Sequence, residues 1–452
     1  MRLTRHRRWA VPIVAAAAVG LTLTACTGDI ANEEAGDVDC SDYEEYGTFD
    51  GAEVTVAGTI LDLEADRLVE SWSDFETCTG ISVDYQGSSE FEAQIAVLAE
   101  GGNAPDVGIV PQPGLLKRLA DGGWLIPASD PVVANIDEFW DPIWKEYATV
   151  DDTVWAAPLM ASVKGWVWYS PDEFEEKGYE IPQTLDELKE LSDTIAAEGD
   201  HKPWCVGLES GDATGWPGTD WIEDYMIRLH GADVYDQWVT HEIPFNDPQV
   251  AEAFDAVGEY LKSDDMVNGG IGDVSTLVTE AFQTAGLPIL EGECSLHHQA
   301  SFYETFWNPE GGDENTVASE GTVFGFLLPP ANAGDPLSVT GGGEFPVAFR
   351  DAEEVEAFRT YLSSDLWANN RVSLGGVVSA NKGLDPENAS SELLVQAVEI
   401  LQDPETTFRF DGSDLMPGAV GADSFWKGIV AWVGGESTEQ VLDTVEASWP
   451  AS

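Results

Sequence analysis

The sequence predicts an α/β protein built as two domains. Three observations carry that prediction. From residue 54 onward, short apolar runs alternate with segments of helical period, a βαβαβ rhythm that makes a largely parallel sheet covered by helices. The chain is 452 residues long, which fits two domains. Its apolar fraction of 43%, with 17 Trp and 18 Phe, is enough to fill two sizeable cores.

Taken in order, Val54–Ala57 reads as a strand. Leu68, Trp72 and Phe75 follow at helical spacing, and Gly80 is a stop. Ile81–Tyr85 alternates like a strand, Phe91, Ile95 and Leu98 mark a helix closed by Gly101, and Asp106–Val110 is a third strand. The stretch from Leu115 to Pro158 is less regular, and its end, Val154–Pro158, is extended. Val163–Tyr169 alternates as one strand. Thr184-Leu185-Asp186-Glu187 is a capping-box pattern for a helix through Leu188, Leu191 and Ile195, ended by Gly199. Trp204–Leu208 is a short buried strand, and a helix begins near Thr219. Asp247-Pro248 caps a helix carrying Val250, Phe254, Val257 and Leu261. Cys294–Leu296 and Val323–Leu328 are further strands, and Leu337–Thr340 runs into a Gly-rich stretch, Gly341–Glu344. Val355, Phe358 and Leu362 mark a helix, and three more fall near 391–402, 423–434 and 438–447.

The N-terminus has the layout of an export signal. Arg2, Arg5, Arg7 and Arg8 precede an apolar run from Trp9 to Leu23 that is short for a membrane span. Small residues then lead directly to Cys26, as in a bacterial lipobox; that likeness implies cleavage before Cys26 and a lipid on its thiol. The alternative is an ordinary secretory signal with an incidental cysteine. Residues 26–48 are acidic and small, and read as a flexible spacer.

With 20 Lys+Arg against 83 Asp+Glu, the formal charge is −63. A surface this acidic disfavours nucleic acid and anionic membranes. Beyond Cys26, the even number of cysteines in an exported chain suggests disulfides. Of three possible pairings, Cys40–Cys78 would pin the N-terminal tail to the first helix, and Cys205–Cys294 would join two neighbouring strands. The alternative is free buried thiols. There is no C-x-x-C for redox catalysis.

The most informative chemistry lies between Trp204 and Asp224, where strand gives way to helix among tryptophans and carboxylates. In open α/β sheets ligands bind outside the carboxyl ends of strands. Flat aromatic faces beside planar hydrogen-bonding groups suit a sugar. A Trp-rich core beside a solvated acidic helix is the competing explanation. Trp166 and Trp168 share one face of their strand and line either a cleft or the core. Asp220 and Asp224 share one helical face, as an acid/base pair or, more simply, as solvated charges. Gly341–Gly343 lacks the Lys-Ser/Thr of a phosphate loop, so no nucleotide cofactor is expected. His297 and His298 are adjacent and point opposite ways on a strand, so no metal site is expected there.

Several stretches together resemble the extracellular solute-binding proteins of carbohydrate ABC importers, a family that includes maltose- and α-glucoside-binding proteins. They are Ser88-Ser89-Glu90-Phe91-Glu92, Val163 to Pro171, Gly215 to Trp221, Met416 to Val420, and Ser424-Phe425-Trp426-Lys427. The resemblance covers nearly the whole chain from Val54. It implies a type II periplasmic-binding-protein-like fold, two α/β lobes joined by multiple crossovers with a ligand cleft between them. Lobe one would be 49–160 and 338–378; lobe two would be 161–337 and 379–452. It implies a monomeric, lipid-anchored receptor on the extracytoplasmic face of the cell membrane. The receptor would bind a neutral mono- or oligosaccharide and deliver it to permease subunits, without enzymatic activity or cofactor. Carried over position by position, it places Glu90, Gln112, Lys164, Trp166, Trp216, Asp220, Phe302, Tyr303 and Trp426 at the ligand. Gly341–Glu344 departs from the family pattern; there Glu344 is expected to take ligand hydroxyls. Two rival functions remain at this level. An exported glycoside hydrolase would need two carboxylates flanking a bond. A receptor for a cationic solute would use an aromatic cage.

Overall fold

The computed structural model describes residues 38–308, 312 and 314–450. The signal segment and Cys26 lie outside the described residues. Cys40–Ser452 forms one compact unit by its contacts. Among the described residues no helix is long and apolar enough to cross a membrane.

Two main sheets and one connecting sheet organise it. The first has the spatial order Phe345–Ala348, Val107–Val110, Ala52–Gly58, Ile81–Gly87. Its last three strands are parallel, as the βαβαβ rhythm requires, and Phe345–Ala348 joins antiparallel. The second has the order Phe324–Leu327, Trp166–Tyr169, Cys294–Gln299, Lys202–Cys205, Val267–Asn268. A three-stranded sheet, Thr407–Phe410, Ser338–Gly343, Ala161–Val163, lies on the route between them. The chain leaves the first sheet region through Ala161–Val163 and returns through Ser338–Gly343 into Phe345–Ala348.

Four local expectations are corrected. The helix through Leu68, Trp72 and Phe75 is two helices, Asp62–Glu70 and Ser73–Thr79, broken at Ser71-Trp72. Trp72 takes a non-helical conformation there while its ring packs edge-on against Phe358. Val163–Tyr169 is not one strand: it splits at Lys164-Gly165, and the two pieces serve different sheets. Gly165 has φ +76°, and a Cβ there would meet Asp224 Oδ2 at 2.8 Å and Arg228 Nη2 at 2.9 Å, so only glycine fits. The glycines at 341–343 lie within a strand rather than after it. The spacer does not extend to residue 48: Cys40–Tyr46 is a 3₁₀ helix with Tyr43 and Tyr46 buried against Tyr361. Aromatic burial outweighs the acidic composition that suggested a free tail.

Both disulfides form as expected. Cys40–Cys78 spans 38 residues and Cys205–Cys294 spans 89, with Cα separations of 5.4 and 5.5 Å.

Candidate functional site

Four half-buried rings form a wall beside the second sheet. Trp216 opens the helix Trp216–Val239. The turn before it depends on Gly215, at φ +116°, where a Cβ would lie 2.3 Å from the Trp426 carbonyl oxygen. Phe302 and Phe306 lie on the 3₁₀ helix Ser301–Trp307 that follows the Cys294–Gln299 strand. Along it exposure alternates: 301, 303, 305 and 307 are buried, while 302, 304 and 306 keep open surface. Phe282 completes the wall. Its centroid lies 4.9 Å from Trp216 at 71° and 5.7 Å from Phe306 at 86°, and Trp216 is 6.2 Å from Phe302. Four large rings left partly open together make a candidate binding surface.

Behind Trp216 lies a buried charge network. Lys164 Nζ is 5.5 Å from the Trp216 ring centre and donates to Asp220 Oδ1 at 2.8 Å and to Asp411 Oδ2. Glu223 accepts the backbone N–H groups of Gly412 and Ser413 at 2.9 and 3.0 Å. Burial pushes the carboxyls of Asp220 and Glu223 up. Burial would raise Asp411 too, but the Lys164 ammonium and its hydrogen bonds hold it well below the usual carboxylate range. Burial opposes the charge on Lys164, yet Asp220 and Asp411 keep it firmly protonated. Asp220, Glu223 and Asp411 bring ligand atoms within 4.8 Å of one another. The cation beside them is Lys164 itself.

A second network sits one turn along the same helix. Asp224 accepts from Arg228 Nη1 at 2.8 Å and Thr340 Oγ1 at 2.7 Å, and pairs with His298 Nε2 at 2.8 Å. Asp220 and Asp224 are therefore neither a solvated face nor an exposed acid/base pair. They fasten the helix to the connecting sheet and to the segment around Asp411.

The expected ligand residues thus divide. Trp216 and Phe302 stand on the wall. Lys164 and Asp220 are buried, with side chains 8% and 3% exposed, and spend their charges on each other. Trp166 is only 1% exposed and belongs to the sheet core, where a Cβ on Gly325 would touch it. Tyr303 is fully buried; its hydroxyl donates to Gln283 O and accepts from Gly286 N, and its ring packs on Trp307. The placements of Trp166 and Tyr303 leave neither ring open to a ligand. Gln112 is buried and donates to Glu92 Oε2 at 2.9 Å. Glu90 is exposed; a hydrogen bond with the Asp212 carboxyl and the charge of that group raise its pKa. That contact joins the loop after Ile81–Gly87 to the loop before Trp216. Trp426 is largely buried with its indole N–H unpartnered. Glu344 is half-buried, and its Oε2 has no partner.

Burial pushes Glu92 up to about 7, against the bond from Gln112, and Glu344 up to about 8. The ordinary value is 4.5, so the folded state holds these protons more tightly than the unfolded chain. Their stabilising contribution is complete below that value and is lost as the pH rises through 7 and 8. The ligand-free protein is expected to melt several degrees lower at pH 8.5 than at pH 5. Scanning fluorimetry across that range checks this, and a flat or rising curve would contradict it.

Sequence reasoning missed Phe282 and Phe306. Phe282 stands in a stretch without periodicity. Phe306 lies four residues after Phe302 on a 3₁₀ helix, whose threefold repeat does not put the two on one face, so the spacing does not announce the pair.

Comparison with known proteins decides the family. The profile of the bacterial extracellular solute-binding proteins matches residues 56–324. The chain belongs to that family. Among other family relatives, the osmoprotective compounds-binding protein GgtB of Synechocystis sp. is 36% identical over 432 residues, 95% of this chain and 97% of that protein. The alpha-glucosides-binding periplasmic protein AglE of Rhizobium meliloti is 38% identical over 403 residues, 85% of this chain and 84% of that one. Among solved structures, the bacterial solute receptor AcbH superposes with a TM-score of 0.73 at 17% identity, covering 88% of this chain and 97% of that one. This solute-binding protein therefore has the two-lobed α/β fold of such receptors, and the wall stands beside its second sheet.

Proposed function

We propose that the protein is an extracytoplasmic receptor that captures a neutral sugar, an α-glucoside or oligosaccharide, and hands it to the permease of an ABC importer. The single observation that carries this reading is the half-open wall of Trp216, Phe282, Phe302 and Phe306, whose faces suit the C–H faces of a sugar ring. The extent of similarity to an alpha-glucosides-binding protein supports the substrate class. The lobes would be 49–160 with 338–378, and 161–337 with 379–452. A lipid on Cys26 would hold the receptor at the membrane surface.

The rivals find less support. A cationic solute on this wall would face the Lys164 ammonium 5.5 Å from the Trp216 ring. A hydrolase needs two free carboxylates flanking a bond, whereas Asp220 and Glu223, on the helix that Trp216 opens, are buried and bonded to Lys164 and to backbone N–H groups.

The test is a thermal-shift panel of trehalose, sucrose, maltose, cellobiose, D-glucose and glycine betaine. At 100 times its dissociation constant a ligand adds about 2.7 kcal/mol, so saturable stabilisation by a neutral α-glucoside is expected. Stabilisation by betaine alone, weakening with salt, would replace this reading with the cationic one.

A further inference from the structure

The 3₁₀ helix that carries Phe302 and Phe306 also brings Glu304 and Thr305 close to Arg67. Arg67 lowers the Glu304 carboxyl that burial raises. A Cβ on Gly376 would lie 2.3 Å from Thr305 Oγ1 and 2.7 Å from Arg67 Nη1, so hydroxyl and guanidinium flank the same bare glycine. Arg371 is fully buried, and its Nη1 donates to the carbonyl of neighbouring Gly375 at 3.0 Å. Burial raises the Glu64 carboxyl while the nearby Arg371 and Arg67 guanidiniums lower it, and Arg371 likewise opposes the burial that raises Glu344.

Yet this gathering of charge is incomplete. Among the described residues no ion pair within 4.0 Å joins Glu64 or Glu344 to Arg67 or Arg371. Arg371 Nε and Nη2, Glu344 Oε2 and Thr305 Oγ1 are buried without a hydrogen-bond partner. Buried donors and acceptors are expensive to leave unpaired, and so many at one place call for an occupant. The five residues Glu64, Arg67, Thr305, Glu344 and Arg371 come from four separate segments: the helix Asp62–Glu70, the 3₁₀ helix, the Gly343–Phe345 link and the helix Asp365–Ser373.

We infer that Glu64, Arg67, Thr305, Glu344 and Arg371 form a second, polar half of the ligand site. It hydrogen-bonds the hydroxyls of a unit beyond the ring on the aromatic wall, so the preferred ligand is a glycoside of at least two units. The inference rests on the sugar-receptor reading and deepens it. Hydroxyls donate and accept, and so match carboxylates and guanidiniums in one pocket. A charged group would meet repulsion from one set or the other. Burial pushes the Glu344 carboxyl up to about 8, so at neutral pH it offers a hydroxyl both a donor and an acceptor.

The experiment is calorimetric titration of the mature chain with D-glucose and with trehalose, sucrose, maltose and cellobiose, for the wild type, Glu344→Gln and Thr305→Val. Hydrogen bonds to charged groups are worth enough that the wild type should bind its best two-unit sugar at least about 10-fold more tightly than D-glucose. Each variant should lose about 10-fold on that sugar and little on D-glucose. If D-glucose binds as tightly as the two-unit sugars, the inference falls while the sugar receptor stands; this arm needs no variant to fold. The same holds if folded variants bind both sugars unchanged, or weaken both equally, as they would if the gap held only water. If no saccharide binds the wild type, both readings fall.

Discussion

Replacing Lys164 by methionine is expected to cost about 3–5 kcal/mol of folding stability at pH 7, because it leaves buried carboxylates without their cation. Lys164 is the only basic side chain bonded to Asp220 or Asp411 among the described residues. The backbone around Asp411 is further held by Glu223, through the N–H groups of Gly412 and Ser413. Losing the ammonium therefore disturbs the joint between the Trp216–Val239 helix and the segment at 411–414. Urea denaturation measures the loss. Adding Asp411→Asn should recover part of it, and the loss should shrink near pH 4 as the remaining acids take up protons. A fall below about 1 kcal/mol would mean that this pair behaves like a solvated surface ion pair.

Trp216→Ala carries the second large effect, on binding rather than folding. An aromatic anchor at the heart of a binding surface is commonly worth about 2–4 kcal/mol, so affinity for the best sugar should fall about 30-fold or more. Because the ring is half-buried, the ligand-free protein should keep its fold. Phe302→Ala should act in the same direction. Tyr303→Phe is the matched control one residue on: it removes the hydroxyl bonded to Gly286 N and Gln283 O, and should lower stability while leaving affinity unchanged. Titration calorimetry together with melting of the free protein separates these outcomes. Equal losses of affinity in Tyr303→Phe and Trp216→Ala would remove the wall from the ligand site.

Much of the fold was legible because strand and helix impose different periods. Alternation at Ile81–Tyr85 and the cap at Asp247 each report local geometry, and both elements appear where expected. The break at Lys164-Gly165 was hidden, since the alternating pattern runs through it and only the close approach of Asp224 and Arg228 demands the turn. The site was half legible for a similar reason. Trp216 sits at a loop–helix junction that the sequence advertises. Ser301–Trp307 holds four aromatics in seven residues, and nothing in it says that Phe302 faces outward and Tyr303 inward; the packing around the segment decides that. Glu64, Glu344 and Arg371 meet only because three distant segments converge, which no local pattern records.

The Cys205–Cys294 bond has a practical corollary. It joins the strand that leads to Trp216 with the strand that leads to Phe302, so two sides of the wall share one covalent staple. A loop of that length closed by a cross-link typically contributes a few kcal/mol by restricting the unfolded chain. Material made in a reducing cytosol would carry thiols at these positions, and its spacing between the two rings would depend on packing alone. Preparations of this receptor intended for ligand screening should come from an oxidising compartment, or be reoxidised before use.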